Sequence, residues 1–412
     1  MIGSALYSAA LYALLPLVLL KLWWRGRREP GYRRRIGERF GQYRFAPERA
    51  VVWVHAVSVG EARASAPLVR ALQEEFPDHE LLVTCSTATG RETLKQMYGE
   101  SVSIAWLPYD YPGSVRRFVE HFRPRLGLLM ETEIWPNLLA ACRALGVPVV
   151  LASARMSERS ALGYRKWSAV TRPAFSSLAA ACAQSDADAS RLAELGAKDV
   201  SVCGNLKFDI APDPAQVEAG LAWKASLGRP VLLLASTRDG EERLFVEALA
   251  ASDALAVLVP RHPQRFDAVA ALLGESVRRR SRREDPLPAD RLFLGDTMGE
   301  MAFYYAAADV AIIGGSFLPL GGQNLIEACA VGTPVIFGPS MHNFAEASSL
   351  ALAAGAAEQV PDAAQAIRAA NALIEDRARR EAMGAAGQRL CATHRGAVQK
   401  HIALCRKLLE RR

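Results

Sequence analysis

The sequence predicts an α/β protein with two Rossmann-like domains, each built on a doubly wound parallel sheet. Short apolar segments alternate with helix-compatible segments along both halves of the chain, a pattern typical of parallel sheets. The chain has 412 residues, of which 50% are hydrophobic and 23% charged, so it is long enough for two globular cores. The pattern breaks at residues 204–214, GNLKFDIAPDP, which we interpret as the join between the two halves.

The apolar segments that we interpret as strands are rich in aliphatic residues and end at polar or turn-forming residues. In the first half they are 51–57, 81–85, 102–107, 126–130, 147–152, 178–183 and 200–202. In the second half they are 231–235, 254–259, a weak segment near Val277, 291–294, 309–313 and 334–337. The end of the chain, 362–412, is predicted to be helical. Ligands bind beyond the carboxyl ends of parallel strands, so polar residues at strand ends are the site candidates.

An uncharged apolar run, residues 2–20, lies at the start of the chain and is about long enough to cross a bilayer, which needs roughly 17–25 residues. Trp23 and Trp24 follow it, as interfacial residues do. Behind them come arginines that favour the cytoplasmic side, at positions 25, 27, 28, 33, 34, 35 and 39. A cleaved signal peptide carries its positive charge before the apolar core, the reverse of this order. We predict an uncleaved single-pass anchor, although Pro16 leaves open a shallower interfacial helix.

These features divide the chain into an N-terminal anchor, a first Rossmann-like domain, a linker and a C-terminal Rossmann-like domain. The predicted bounds are 1–24, 25–204, 205–214 and 215–412.

The net charge of +7 indicates an anionic partner, which we do not expect to be a nucleic acid. The seven cysteines form no C-x-x-C pair and the seven histidines no zinc-site spacing, so we expect neither a metal nor a disulfide framework. A Walker A loop is also missing from the sequence, and no cofactor is predicted.

The segment 314–327, GGSFLPLGGQNLIE, is the strongest binding candidate. Two glycine pairs follow the strand 309–313, and a helix begins after them, so backbone N–H groups and a helix N-terminus suited to a phosphate would meet there. An ordinary tight turn would use glycines in the same way. Asn324 can cap the helix, and Glu327 lies one turn later on the same face, where a carboxylate suits the hydroxyls of a ribose. The segment therefore predicts a nucleotide site.

Charged residues follow other strands as well. Glu61 lies at a helix start after the strand 51–57, where it fits either a general base or a helix-dipole partner. Glu131 and Glu133 follow the strand 126–130 and would share a face if the chain stayed extended; capping of the next helix is the alternative. Arg261 follows the strand 254–259 and suits a phosphate. Lys207 lies at the join between the halves.

Seven motifs in a fixed order resemble the Kdo transferases (3-deoxy-D-manno-octulosonic acid transferases) of lipopolysaccharide assembly. They are VSVGE at 57–61, METEIWPN at 130–137, SARMSERS at 153–160, GNLKFD at 204–209, PRHP at 260–263, DTMGE at 296–300 and the segment 314–327. With the N-terminal anchor, the resemblance covers essentially the whole chain. Two positions depart from the family pattern as we expect it, Ser153 in place of Asn and Gln323 in place of the His of some relatives.

The resemblance implies a GT-B fold and an inverting transfer of Kdo from CMP-Kdo to the lipid A precursor, lipid IVA, without a bound metal. It places the enzyme at the cytoplasmic face of the bacterial inner membrane. Mapped by motif, Glu61 is the general base, and Glu131 and Lys207 stabilise the transition state. The implied CMP site consists of Pro260, Arg261, Met298, Gly299, Glu300, Asn324, Leu325, Ile326 and Glu327. Two alternatives share the architecture, a nucleotide-sugar epimerase and a noncatalytic membrane-anchored module that binds nucleotide sugars.

Overall fold

The structure is a computed structural model that describes residues 2–274 and 276–410, and it divides into two compact units. One unit runs to Ile210 and takes in the chain again from Arg395. The other is Ala211–His394. Each contains one seven-stranded sheet in which the neighbouring strands are parallel. The predicted fold class, two α/β units with parallel sheets, is confirmed at this level.

The first unit has the strand order β3-β2-β1-β4-β5-β6-β7. Its strands are β1 Ala50–His55, β2 His79–Cys85, β3 Ser103–Trp106, β4 Leu126–Met130, β5 Val149–Ala154, β6 Ala180–Ala183 and β7 Val200–Val202. Its first ten helices are α1 Ile2–Ala13, α2 Leu15–Arg28, α3 Val59–Ala64, α4 Ala66–Glu75, α5 Ala88–Tyr98, α6 Pro112–Phe122, α7 Pro136–Ala144, α8 Glu158–Lys166, α9 Ser168–Phe175 and α10 Asp186–Leu195.

Strand β1 explains why its sequence is apolar without alternation. Val51 and Trp53 pack into the core on one face of the sheet, while Val52 and Val54 pack into the core on the other. Helices cover both faces of such a sheet, so the side chains of residues 51–55 are all buried. The two layers of core fix the sheet on which the strand-end residues stand.

The second unit has the strand order β10-β11-β9-β8-β12-β13-β14. Its strands are β8 Val231–Thr237, β9 Leu255–Pro260, β10 Arg278–Arg279, β11 Leu292–Leu294, β12 Val310–Ile313, β13 Val335–Phe337 and β14 Ala357–Gln359. Its helices are α11 Pro214–Leu227, α12 Glu241–Ala248, α13 Phe266–Leu273, α14 Met301–Ala307, α15 Ile326–Val331, α16 Ala345–Ala353, α17 Ala363–Glu375 and α18 Arg377–His394. The sequence did not predict β14, a three-residue edge strand that carries no apolar run.

The last helix, α19 Ala397–Glu410, belongs to the first unit. The sequence instead assigned 215–412 to a single C-terminal domain, and the structure differs there. Ile402 and Cys405 of α19 are buried in the core of the first unit, which is why this amphipathic helix packs there. Local periodicity shows that a helix has an apolar face but not which core receives that face.

The two N-terminal helices are bent by 48° with respect to each other. Within residues 2–274 and 276–410, no single helix is both long and apolar enough to cross a bilayer, and only the bent pair Gly3–Ala13 and Leu15–Arg27 meets both conditions together. Helix α1 is bound to the first unit, since the Tyr7 hydroxyl donates to Asp110 Oδ2 at 3.0 Å and Ser8 Oγ to Asn137 Oδ1 at 3.1 Å. The sequence predicted one anchor helix here. The structure instead has two helices with a bend between them, and the first, α1, packs against the first unit.

Gly127 of β4 offers a test of packing in the first unit. A Cβ atom at this position would lie 2.7 Å from Cε3 of the buried Trp53 ring. We expect Gly127→Ala to lower the free energy of unfolding by roughly 1–3 kcal/mol, because the indole ring must shift in a close-packed core. Chemical denaturation measures this change.

The matched control is Gly163→Ala in helix α8, where the added methyl group meets nothing within 4 Å. This variant should be unchanged or more stable by up to about 1 kcal/mol, because alanine favours a helix. Equal stability of Gly127→Ala and the wild type would contradict the close packing of the Trp53 ring.

Candidate active site

The first sheet reverses its winding between the neighbouring strands β1 and β4. Chains leaving two such strands diverge to opposite faces, so a crevice opens at their carboxyl ends. Glu61 follows β1 and Glu131 follows β4. Two of the predicted site residues therefore flank the switch point of the first sheet.

Glu61 lies in the first turn of α3, and its Oε2 accepts the Val57 N–H at 2.8 Å. The side chain is partly buried, and burial raises the pKa of Glu61 to about 8. The negative charges of Glu131 and Glu133 raise it further, while the Val57 N–H and the Lys207 cation lower it. A carboxyl group with such a pKa can take up a proton near neutral pH, as a general base must.

Glu131 has a left-handed backbone, with a φ of 56°, directly after the last residue of β4. Its N–H donates to Ala152 O at 2.9 Å, and its Oε1 accepts from Lys207 Nζ at 3.2 Å. Because the chain turns here, the expected extension that would put Glu131 and Glu133 on one face does not occur. A strained non-glycine residue of this kind is held by its surroundings and is frequent at functional sites.

Glu133 and Lys207 complete the group that we name the acid–lysine cluster, Glu61, Glu131, Glu133 and Lys207. Burial, and then the charge of Glu131, raise the pKa of Glu133. Lys207 lies in a 3-10 turn, Leu206–Asp209, and its ammonium group reaches Glu131. The helix after the METEIWPN motif is capped by Asp110, whose carboxylate accepts the Asn137 and Leu138 N–H groups, so capping by Glu131 or Glu133 is not observed.

The second sheet reverses its winding between β8 and β12. The glycine loop, Gly314–Gly322, follows β12 at this point. All four of its glycine N–H groups have acceptors within the protein. The pairs are Gly314 N with Ala235 O at 2.8 Å, Gly315 N with Glu241 Oε2 at 2.6 Å, Gly321 N with Ser340 Oγ at 3.0 Å and Gly322 N with Gly315 O at 2.7 Å. The expectation that these glycines present their N–H groups to a phosphate is therefore wrong.

Glu241 holds the glycine loop in place. Its carboxylate is fully buried and also accepts the Phe317 N–H at 3.0 Å and the Arg238 N–H at 2.9 Å. Hydrogen bonds to a charged acceptor are stronger than neutral ones. A Cβ atom on Gly314 would lie 2.6 Å from Ser236 O, so the loop passes too close to β8 for a larger residue. Gly314 thus permits a close approach of two backbones.

The four residues at the end of the segment begin helix α15. Asn324 Oδ1 accepts the N–H of Ile326, the first residue of the helix, at 3.0 Å, although the N-cap position itself is Leu325. Its Nδ2 donates to Glu327 Oε1 at 2.9 Å, so the two side chains lie side by side. Leu325 and Ile326 are buried, and any contact they make with a ligand would come from their backbone.

Arg261 lies beside the same segment. It follows Pro260, the last residue of β9, and its Nε donates to Gln323 Oε1 at 3.1 Å. Its own N–H donates to Thr237 O at 3.0 Å, across to β8. Pro260 and Arg261 thus stand at the carboxyl edge of the sheet, and the bond to Gln323 links Arg261 to the residue that precedes Asn324.

Met298, Gly299 and Glu300 form the turn before α14. Gly299 has a φ of 84° and its carbonyl accepts from Gln216 Nε2 at 2.9 Å. Although burial raises it, the bonds from Arg280 and the Thr297 hydroxyl hold the pKa of Glu300 below its ordinary value. Glu300 therefore stays ionised, paired with Arg280 at 3.0 Å.

Cys182, Cys203 and His401 are close enough in the first unit for their ligand atoms to lie within 4.8 Å of one another. Both imidazole nitrogens already have backbone partners, since Nε2 accepts the Ser153 N–H at 2.9 Å and Nδ1 lies 2.6 Å from Ala397 O. A metal bound there would have to displace one of these bonds. The cluster is therefore better explained as a hydrogen-bonded core than as a metal centre.

Three buried side chains that bind these strand ends and loops were not predicted from the sequence. Glu241 binds the glycine loop, and Gln184 and His401 both bind the backbone of Ser153 at the end of β5. The polar run after β8 carried a usable signal for Glu241, because it follows a strand end as Arg261 does. Gln184 also follows a strand, β6. His401 lies within α19 and has no local signal.

Residues 34–210 match the family model described as 3-deoxy-D-manno-octulosonic-acid transferase (kdotransferase). The 3-deoxy-D-manno-octulosonic acid transferase of Bordetella pertussis is 48% identical over 425 aligned positions, covering 97% of both chains. The chain belongs to this family of glycosyltransferases.

Solved structures of lower identity resemble the fold. A glycosyltransferase from Rickettsia africae has a TM-score of 0.59 at 12% identity and covers 88% of this chain and 99% of its own. A UDP-GlcNAc 2-epimerase from Neisseria meningitidis, bound to UDP-GlcNAc, has a TM-score of 0.59 at 16% identity and covers 88% and 100%. The transferase and the epimerase resemble this chain with the same TM-score. The fold alone therefore does not distinguish a transferase from an epimerase.

Replacing Glu241 tests its support of the glycine loop. Glu241→Gln should lower the free energy of unfolding by roughly 1.5–3 kcal/mol, because an amide NH₂ would face backbone N–H donors in a buried site. Denaturation measures the loss. Glu247→Gln, an exposed position on the same helix, is the control and should change stability by less than about 0.5 kcal/mol. Equal behaviour of the two variants would show that Glu241 does not hold the loop.

Proposed function

We propose that this chain is an inverting glycosyltransferase that moves Kdo from CMP-Kdo to the lipid A precursor, lipid IVA, in lipopolysaccharide assembly. The observation that carries the proposal is the Glu61 carboxyl group, with its raised pKa, beside the Glu131–Lys207 pair at a sheet switch point. Membership of the Kdo transferase family supplies the substrate class. The substrates are those implied by the motifs of the sequence.

In this proposal Glu61 removes the proton from the attacking hydroxyl of the acceptor sugar. The hydroxyl oxygen forms a bond to the anomeric carbon of Kdo while the bond from that carbon to the phosphate oxygen breaks, and CMP leaves. One displacement inverts the anomeric centre and needs no covalent intermediate. Lys207, held by Glu131 at 3.2 Å, supplies a fixed positive charge that stabilises the transition state.

The second unit provides the donor site in this proposal. Arg261 and the start of α15 stabilise the phosphate of CMP, because a guanidinium group and helix N–H groups both favour an anion. Glu327, aligned by Asn324 at 2.9 Å, accepts hydrogen bonds from the ribose hydroxyls. Pro260, Leu325, Ile326 and the turn 298–300 complete the site, and none of these roles requires a metal or a cofactor.

We also propose that α1 and α2 hold the protein at the cytoplasmic face of the bacterial inner membrane, where a lipid acceptor is found. Leu17 and Leu20 are 61% and 60% exposed, and Trp23 and Trp24 are half exposed behind them. The arginines that follow favour an anionic leaflet. The single-pass topology predicted from the sequence is one form of this proposal, and an interfacial pair of helices is the other.

Glu61→Gln tests the base. The variant should fold and bind CMP as the wild type does, and it should transfer Kdo at least about a hundredfold more slowly, since general bases contribute roughly 10²–10⁴ in rate. Chromatography of products formed from CMP-Kdo and lipid IVA measures transfer, and calorimetry measures CMP binding. Normal transfer by this variant would contradict the role of Glu61.

Thermal protection by UDP-GlcNAc but not by CMP-Kdo would instead favour the epimerase alternative.

The pH dependence of transfer should follow the ionisation of Glu61. Because its pKa is raised to about 8, mainly by burial, kcat/KM should rise about tenfold per pH unit below that value and level off above it. A rate that is flat between pH 6 and pH 9 would contradict the base assignment.

The free energy of unfolding should also depend on pH through the ionisation of Glu61. The folded pKa of Glu61 lies above its ordinary value of 4.5, so its stabilising contribution is complete below 4.5 and is lost as the pH rises through about 8. From pH 4 to pH 9 the free energy of unfolding of the wild type should therefore fall by roughly 2–4 kcal/mol more than that of Glu61→Gln. Chemical denaturation of both proteins at the two pH values measures this difference.

The membrane proposal is tested by charges on α2. The double variant Leu17→Glu and Leu20→Glu should lower binding to anionic vesicles at least about tenfold. The reason is that each exposed leucine, once inserted into the bilayer, contributes roughly 1.5–3 kcal/mol to binding. Co-sedimentation measures binding. Leu221→Glu, at a leucine that is 54% exposed in the second unit, is the control and should bind as the wild type does. Undiminished binding of the double variant would point to another membrane surface.

A further inference from the structure

Ser153 is a second strained residue near the acid–lysine cluster. Its φ of 47° is left-handed, its exposure is only 2%, and it lies in the irregularity between β5 and β6. The residue before it, Ala152, provides the carbonyl that accepts the Glu131 N–H at 2.9 Å. Ser153 is therefore the chain neighbour of the residue that anchors the Glu131 backbone.

His401, from the last helix, binds the backbone of Ser153. Its Nε2 accepts the Ser153 N–H at 2.9 Å, and its Nδ1 lies 2.6 Å from Ala397 O. A backbone N–H can only donate and a carbonyl can only accept, so the imidazole is neutral with its proton on Nδ1. The side chain is 1% exposed, and burial lowers the pKa of His401, which keeps the ring in this form.

Gln184 and Asn205 continue the connection to Lys207. Gln184 Nε2 donates to Ser153 O at 2.8 Å and to Ser153 Oγ at 3.2 Å. Asn205 Nδ2 donates to Gln184 Oε1 at 3.1 Å, and Asn205 Oδ1 accepts the Lys207 N–H at 3.0 Å. Both partners of the Glu131–Lys207 pair are thus tied to Ser153.

Asp209 joins the same turn to α19 from the other side. Its carboxylate accepts the N–H groups of Gly396 and Val398, each at 2.6 Å, at the start of that helix. The helix that carries His401 is therefore fixed against the turn that carries Lys207. The connections form a continuous chain of hydrogen bonds, and those among His401, Ser153, Gln184 and Asn205 are buried, so that loss of one partner there is costly.

We propose that His401 is a positioning residue for Kdo transfer. Its neutral imidazole holds Ser153 in the left-handed conformation, and Ser153 in turn positions Glu131 and, through Gln184 and Asn205, Lys207. Residues far apart in the sequence, on a strand end, a turn and the last helix, thereby set the geometry of one ion pair. This role rests on the proposed function, because the rate that His401 supports is that of Kdo transfer.

The test compares His401→Leu with His401→Gln. Leucine fills the space but leaves the Ser153 N–H without an acceptor, whereas the amide oxygen of glutamine can accept it. His401→Leu should lower kcat about tenfold to a hundredfold, since a displaced catalytic group costs rates of that order, while the KM for CMP-Kdo stays within about twofold. His401→Gln should recover most of kcat.

Ile402→Ala is the matched control, because Ile402 is a buried neighbour on α19 that packs in the core and makes none of these bonds. It should lower the melting temperature at least as much as His401→Leu and keep the wild-type kcat. If Ile402→Ala loses kcat to the same degree, general loosening of the helix explains the loss and the positioning role is wrong. Full kcat in His401→Leu overturns it as well.

A second variant covers the case in which His401→Leu does not fold. Gln184→Met keeps the volume of the side chain and removes its bonds to Ser153 and Asn205, so it should lower kcat in the same way without a change in KM. Unchanged kcat in this variant overturns the proposal.

Hydrogen exchange separates this proposal from the proposed function. The backbone amides of Glu131 and Lys207 should exchange at least about tenfold faster in His401→Leu than in the wild type or Ile402→Ala, whichever reaction the enzyme catalyses. If the wild type transfers no Kdo but this change in exchange is seen, the function is wrong and the positioning stands. If exchange at both amides is unchanged, the positioning is wrong.

Discussion

In both sheets each strand runs parallel to its neighbours, and this constraint gathers all strand ends of a unit along one edge. Right-handed crossovers then send the chain to opposite faces on the two sides of the switch point. In the first unit the crevice so formed lies between the ends of β1 and β4, and in the second between those of β8 and β12. Glu61, Glu131, Glu241 and the glycine loop all stand at these points, so their functional positions follow from strand direction.

The two switch points use their polar groups differently. In the second unit a buried carboxylate, Glu241, binds the backbone donors of the glycine loop, and Arg261 binds Gln323 next to the start of α15. In the first unit burial and the charge of Glu131 raise the pKa values of Glu61 and Glu133, and the Val57 N–H and Lys207 offset only part of the rise at Glu61. The glycine loop thus has its donors bound within the protein, whereas the first unit holds a carboxyl group, Glu61, whose pKa is raised to about 8.

Two residues with left-handed backbones lie at or beside the acid–lysine cluster. Glu131 and Ser153 both have left-handed backbones, at the ends of the adjacent strands β4 and β5. Such conformations persist only when surrounding bonds hold them, and here the bonds come from Ala152, His401 and Gln184. The last helix therefore contributes to the geometry of a site whose other parts lie much earlier in the chain.

The amino-acid sequence by itself determined the α/β class, nearly every strand, the family and the candidate residues at strand ends, because these depend on local composition and on motif order. Only the tertiary structure decided that the chain turns at Glu131, that the glycine N–H groups bind Glu241, that the N-terminal apolar run is a bent pair, and that α19 belongs to the first unit. Each of these depends on a partner distant in sequence: Ala152 for Glu131, Glu241 for Gly315, Asp110 for Tyr7 and Asp209 for Val398. Local patterns record what a segment can form, whereas the identity of its partner is fixed only when the whole chain packs.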